Sequence, residues 1–320
     1  MAKIQSFMSA EIDSFITFRK ASGVWNNNYE LNLSYFISYC SQNYPRANEL
    51  TQEMVDTWCV QRTSEVNNSC RSRVYPLLSF LDYLRKRGKT NVLPPDIPKH
   101  SKCTYIPHAF SHDELYKFFQ ACDSLRGTRN SLVNRSRKIT VPVFFRLLYS
   151  SGIRTCEARL LCVEDVNLEE GVLNIQRSKG LSQHYVALHE TMLELMRRYD
   201  SEIRELYPFR SYFFPSGSGT SFHDSSWVTW NFKNIWQSCN LTRTIAYDLR
   251  HNYAVENINQ WIGEGFNFSK LVYLSKSMGH CELESTKYYF QLVPALSDIM
   301  DNLTGQDFDE IVPEVHYEES

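Results

Sequence analysis

Apolar residues recur at three- and four-residue steps along most of this chain, a spacing that lines up one face of a helix. Ile12, Phe15 and Ile16 mark such a face around Asp13–Arg19, and Leu33, Phe36, Ile37 and Cys40 mark another over Asn32–Cys40. Thr51 can cap a helix over 52–62. The stretch SCRSRVYPLLSFLDYLRKRGK (69–89) is periodic after Pro76 through Leu77, Leu78, Leu81 and Leu84. It stops on Arg85, Lys86, Arg87 and Gly88, cations and a glycine that suit a helix C-terminus. Residues 91–108 then carry four prolines in 18 positions, which reads as a strap between domains. Beyond it, Ser111 and Glu114 form a capping box ahead of Leu115, Phe118 and Phe119. Helical apolar stretches return at 141–151, 155–162, 190–199 and 226–239. One hairpin stands out: VLNIQ (172–176) and YVAL (185–188) flank RSKGLSQH.

These elements predict a mainly α protein. A helical domain spans 1–95, a Pro-rich linker 96–108, and a larger, mostly helical domain with a small antiparallel sheet 109–293. A tail follows at 294–320. No repeat or low-complexity tract interrupts the series.

Composition narrows the classes. At 320 residues, 42% apolar and 22% charged, the chain can bury the cores of two domains. No run approaches the roughly 20 apolar residues of a membrane span. The richest, VPVFFRLLYSSGI (141–153), is broken by Arg146, and the N-terminus lacks the apolar stretch of a secretory signal. Nine cysteines form no CxxC pair and no cluster with zinc-ligand spacing, which suits reduced thiols in a cytosol and predicts no metal. The net charge of −2 hides an asymmetry: residues 291–320 hold eight acids and no Lys or Arg, so the other 290 residues carry +6. A mildly basic body is compatible with DNA.

Four short stretches carry candidate chemistry. In SGIRTCEARLL (151–161), Ser151–Gly152 can end one helix, and Arg154 and Glu157 share a face of the next. Lys179 sits in the hairpin turn. In IAYDLRHNYA (245–254), Arg250 lies between apolar neighbours, next to His251, and needs an anionic partner if it is buried. In SMGHCELESTKYY (277–289), His280 follows Gly279, and Tyr289 comes nine residues later. Taken singly these are a surface salt bridge, a turn lysine, a packed arginine and an aromatic pair.

Their order and spacing together resemble the tyrosine recombinases, or phage integrase family. The marks are G-I-R-x-x-E (152–157), the hairpin K-G (179–180), L-R-H (249–251), and M-G-H followed by Tyr289. The resemblance covers the larger domain, and the N-terminal helices look like the family's core-binding domain. It implies that Tyr289 attacks a DNA phosphate to give a 3′-phosphotyrosyl link, with Tyr288 packing instead. Arg154 and Arg250 would bind the phosphate oxygens, Lys179 would protonate the departing 5′-oxygen, and His280 would hydrogen-bond the phosphate. Glu157 and His251 would orient them. Neither metal, ATP nor another cofactor is implied. One position departs from the family, where Tyr247 stands in place of a histidine. A phenol, with a pKa of about 10, is a poor base at neutral pH, so Tyr247 either assists the nucleophile weakly or only packs.

The implied protein is a site-specific recombinase, an integrase or transposase of a mobile element. It would work on double-stranded DNA as a homo-oligomer, a tetramer on two sites, with accessory recombination proteins, in the bacterial cytoplasm at the nucleoid. A type IB-like topoisomerase and a non-catalytic DNA-binding regulator on the same fold are the alternatives. Arg71, Arg73, Arg85, Lys86, Arg87 and Lys89 cluster before the strap as candidate phosphate contacts, and two domains on a strap suit a clamp around a duplex. In the tail, Leu296, Ile299, Met300 and Leu303 recur at helical spacing and suit docking on a neighbouring protomer.

Overall fold

The computed structural model describes residues 7–23, 25, 27–101, 105–126, 131–177, 183–264, 268–280 and 289. The tail, 294–320, lies outside them. The chain divides into two compact units, Met1–Tyr105 and Ile106–Ser320.

In the first unit, α1 (Ser9–Ala21), α2 (Asn27–Asn43), α3 (Gln52–Cys59) and α4 (Asn67–Arg85) enclose a core around Phe15, Phe36, Trp58 and Phe80. Phe15 meets Phe80 at 5.5 Å between ring centres, and Phe36 meets Trp58 at 5.6 Å. Thr51 caps α3 through Met54 N, as the sequence predicts. The helix nevertheless ends at Cys59, short of residue 62, because Val60 turns extended. Helix α4 begins well before Pro76 and runs through it. An interior proline costs about 3 kcal/mol. Val74, Leu77, Phe80 and Leu81 are all buried on that helix, at about 1.5–3 kcal/mol each, and their burial outweighs the lost hydrogen bond. The Pro-rich strap is held against α4: Asn67 and Asn68 donate to the carbonyls of Lys99 and Ser101, and Arg71 to that of Pro98.

The second unit opens with α5 (His112–Asp123), whose Ser111–Glu114 capping box is complete. Next come α6 (Leu132–Ser151), α7 (Thr155–Leu160) and a 3-10 turn at Val163–Asp165. Helix α6 starts nine residues ahead of its predicted start at 141. Polar residues hide that extension in the sequence, yet Ser136 and Thr140 are buried, and Thr140 meets the Tyr199 hydroxyl at 3.4 Å. Strands β1 (Val166–Asn167), β2 (Val172–Ile175) and β3 (His184–Ala187) form an antiparallel sheet in that order. Leu173 pairs with Val186, and Ile175 with His184. The two-residue β1 is too short to show an alternation and was not predicted.

Helices α8 (Glu190–Leu206), α9 (Ser225–Cys239), α10 (Asp248–Glu264) and α11 (Phe268–Ser277) complete the unit. An aromatic core of Phe118, Phe144, Phe145, Phe213, Phe214, Phe232 and Trp236 joins α5, α6, α9 and the sheet side. The fold is mainly α with a small antiparallel sheet. Among the described residues no helix is long and apolar enough to cross a membrane.

Candidate active site

Two left-handed glycines shape the site. Gly152, at φ +64°, ends α6, and a Cβ there would overlap the Tyr253 ring. The chain turns through buried Ile153 and places Arg154 at the N-cap of α7. The Glu157 carboxylate, 2% exposed, accepts from Arg154 N at 2.7 Å and from Nη1 at 2.6 Å. Arg154 Nη2 donates to the carbonyl of Gly279, the second left-handed glycine, at 2.8 Å. Burial works against the charge of Arg154, but bonding to Glu157 outweighs it and raises the pKa.

Helix α10 supplies Arg250. Asp248 fixes the start of that helix by accepting from the Thr244 hydroxyl at 2.6 Å and from Ile245 N at 3.1 Å. Arg250 is 2% exposed. It donates through Nη1 to the Gly152 carbonyl at 2.6 Å and through Nη2 to the Met278 carbonyl at 2.7 Å. Its Nε is buried without a hydrogen-bond partner, and no carboxylate pairs with it, among the described residues. The sequence led us to expect an anionic partner for this arginine. The structure instead supplies neutral acceptors, so the positive charge is kept in the site. Burial accordingly pushes its pKa down.

His280 sits 3.0 Å from Arg250 Nη2 through Nε2. Arginine only donates, so Nε2 accepts and the ring proton is on Nδ1. Burial, then the cations Arg250 and Arg154, lower the His280 pKa to about 4, which keeps the ring neutral at pH 7. Tyr289 lies nearly parallel to the His280 ring, at 6.2 Å and 12°. It is 3% exposed and packs among Ala254, Ile258, Leu274 and Met278. His251 lies 5.5 Å from the Tyr289 ring and 5.0 Å from that of Tyr247, and burial lowers its pKa. Tyr247 itself is 36% exposed. It lines a cavity of about 610 Å³ together with Thr155, Lys233 and Arg243.

The structure therefore gathers Arg154, Glu157, Arg250, His251, His280 and Tyr289, with Tyr247 at the rim. Lys179 and Tyr288 lie outside the described residues. The sequence reading missed the acceptors that aim the guanidiniums, the carbonyls of Gly152, Met278 and Gly279. The two glycines were the available signal, since each marks a turn that frees carbonyls. Among the described residues no group of three His, Cys, Asp or Glu side chains could hold a metal.

In the first unit the cations separate. Arg85, Lys86, Arg87 and Lys89 are exposed, with Arg87 stacked 3.8 Å from the Tyr83 ring centre. Arg71 is half-committed to Pro98 and to the Tyr75 hydroxyl. Arg73 does not belong with them: it is 8% exposed, and its guanidinium is taken up by Glu65 and the carbonyls of Trp58 and Val60. It is a core residue and not a phosphate contact.

Residues 109–295 match the phage integrase family. Over 299 residues the chain is 24% identical to a putative integrase/recombinase, y4rE, of Sinorhizobium fredii, across 90% of this chain and 93% of that one. It is 21% identical over 284 residues to the tyrosine recombinase XerA of Pyrococcus horikoshii, across 87% of each. Among solved structures, XerH recombinase in a post-cleavage complex with palindromic difH substrate superposes with a TM-score of 0.57 and 21% identity, over 89% of this chain and 80% of that one. A lambda integrase tetramer bound to a Holliday junction gives 0.58 and 13%, over 88% and 76%. At these identities the structural likenesses attest the fold.

Proposed function

This chain belongs to the phage integrase family, the tyrosine recombinases, and from that premise we propose that it exchanges DNA strands at specific sites through a covalent bond to Tyr289. The observation that carries the reading is Arg250, a buried guanidinium held by carbonyls and one imidazole, beside Tyr289 and without a carboxylate among the described residues. Such a group is completed by an anion, and a backbone phosphate supplies one.

The chemistry must break a phosphodiester and keep its free energy for resealing. The Tyr289 oxygen attacks phosphorus as its proton passes to solvent water, with Tyr247 assisting weakly. The Oη–P bond forms as the P–O5′ bond breaks, and one ester replaces another. The 5′-oxygen leaves with a proton from Lys179. A 5′-hydroxyl from a partner duplex then attacks the phosphotyrosine and returns Tyr289. Negative charge gathers on the non-bridging oxygens in each step. Arg154, held by Glu157, and Arg250, held by the Gly152 and Met278 carbonyls, bind those oxygens in this reading. A donor of this kind is worth about 3–4 kcal/mol in the transition state. His280, with its proton on Nδ1, adds a neutral donor. Tyr247 at the rim shapes the approach to Tyr289 through the His251 ring.

A mobile-element integrase fits the relatives named above, and assembly as a tetramer on two sites follows the lambda integrase assembly. Such an enzyme works where the chromosome is, at the nucleoid. The exposed cations Arg85, Lys86, Arg87 and Lys89 supply sequence-neutral phosphate contacts. The reading is tested with a plasmid bearing two copies of a site selected from a random duplex library. Excision or inversion between the copies is expected. Relaxation of plasmids irrespective of the site would replace this reading with a topoisomerase.

A further inference from the structure

Helices α6 and α9 pack along an aromatic seam, where Phe144 meets Trp227 at 5.4 Å between ring centres and Phe145 meets Phe232 at 5.6 Å. Neither helix contains an Asp or Glu, and together they carry Arg135, Arg137, Lys138, Arg146 and Lys233. Asp123 neutralises Arg146 at 2.7 Å, but Arg137 meets no carboxylate among the described residues. Its Nε donates to Oδ1 of Asn231 at 2.6 Å. Asn231 is fully buried and donates in turn through Nδ2 to the Trp227 carbonyl at 2.9 Å. The Arg137 guanidinium lies over the ring of Trp230, 5.1 Å from its centre, and that indole is 57% exposed. Burial pushes the Arg137 pKa down. A buried amide and an aromatic face thus fix the plane of the group, while Nη1 and Nη2 have no hydrogen-bond partner among the described residues. Arg73, by contrast, spends its donors on a carboxylate and on carbonyls.

We propose that Arg137, its plane set by Asn231 and Trp230, binds a phosphate of the DNA duplex away from the point of strand cleavage. The inference rests on the reading of duplex DNA as the substrate. A guanidinium fork fits two oxygens of one phosphate, and a fork already held on an indole loses little freedom on binding. DNA is favoured over an acidic peptide because the same two helices lead to the active site. Helix α6 ends in Gly152, whose carbonyl holds Arg250, and α9 lines the cavity that Tyr247 borders. Arg137 stands about 20 Å along α6 from its end at Ser151. Phosphates follow one another at about 3.4 Å along the axis of a duplex strand, so the one met here lies several nucleotides from the one Tyr289 attacks.

The test measures binding of the full chain to a duplex of the selected site as salt is raised. Arg137→Met keeps an apolar stem over Trp230 and should make the slope of log K against log salt shallower by about 0.9, the share of one phosphate. Arg137→Lys should keep the wild-type slope. Trp230→Ala should keep it too, while weakening binding about two- to fivefold. Phosphates replaced one at a time by neutral methylphosphonates should include one, distinct from the scissile phosphate, whose loss weakens the wild type and leaves Arg137→Met no weaker. An unchanged slope for Arg137→Met, an equal loss in Arg137→Lys, or the absence of such a phosphate makes the arginine a packing residue and overturns the inference. Competition by a polyglutamate peptide that Arg137→Met abolishes, with the duplex slope unchanged, would give the surface to an acidic protein partner instead. Adduct formation by the wild-type chain keeps the two readings apart. An adduct on Tyr289 with an unchanged Arg137→Met slope overturns this inference alone, and no adduct overturns the recombinase reading while the slope still reports on the phosphate contact.

Discussion

Two buried arginines, one in each unit, divide the molecule by what surrounds them. Arg73 meets Glu65 at two points, Nε to Oε1 at 2.6 Å and Nη2 to Oε2 at 2.8 Å, and donates to the carbonyls of Trp58 and Val60. The hydrogen bond to Glu65 leads in raising its pKa, and the same bond lowers that of Glu65 to about 2. Arg250 is more deeply buried, is met by carbonyls and a neutral imidazole, and has its pKa pushed down by burial. The first guanidinium is a closed circuit of charge and serves the fold. In the proposed reading the second keeps its charge for a phosphate, at the cost of its own solvation. Burial alone does not tell the two apart; what differs is that Arg73 is met at two points by one carboxylate, and Arg250, among the described residues, by neutral acceptors only.

The comparison can be broken from either side. The largest effect expected is on Arg250→Ala, which should lower the rate of covalent adduct formation by about 10²–10³, with the melting temperature of the unit held or raised. An unfolded Arg250→Ala protein would put this arginine in the same class as Arg73. Truncating the closed pair should act on stability. Arg73→Ala should cost about 3 kcal/mol in denaturant unfolding, whereas replacing both partners, Arg73→Met with Glu65→Leu, should cost far less. Equal losses would mean that shape and not charge holds the pair.

Acid sharpens the contrast. Glu65 has a folded pKa of about 2 against an ordinary 4.5, so its contribution is complete above 4.5 and drains away as pH falls toward 2. His280 has a folded pKa of about 4 against 6.5, and its unfolded form takes up a proton first as pH falls. The second unit should therefore lose stability from about 6.5 down to about 4 and the first only below about 4.5, which unit-resolved hydrogen exchange across pH would separate. The smallest effect is on the exposed face of α4. Lys86→Ala should reduce the salt dependence of DNA binding by about one counterion and leave cleavage of bound DNA unchanged.

What the sequence disclosed and what it hid follow from range. The Ser111–Glu114 box, the Thr51 cap and the pairing of the two hairpin strands are local arrangements, and all were legible. The Arg154–Glu157 pair spans one helical turn and was legible too. Pro76 reads as the start of its helical stretch, yet α4 runs through it because apolar residues on both sides, Val74 and Leu77 among them, are buried. The burial of Arg73 was hidden by its cationic neighbours. Its spacing from Leu77 and Phe80, four and seven residues on, places it on the inward face and was the signal to use. Least legible was the seating of Arg250, since its acceptors Gly152 and Met278 stand 98 and 28 residues away. Carbonyls leave no residue-type signature, and only the glycines that free them can be read.

The central claim is that one phenol, Tyr289, becomes bonded to DNA. The direct measurement is proteolysis and mass spectrometry of the protein–DNA adduct trapped on a nicked duplex, where loss of the short 5′ fragment prevents resealing. The account predicts a nucleotide mass on Tyr289, and no adduct from Tyr289→Phe although it still binds the duplex. A full yield of adduct from Tyr289→Phe, or the mass found on Tyr288, would contradict it.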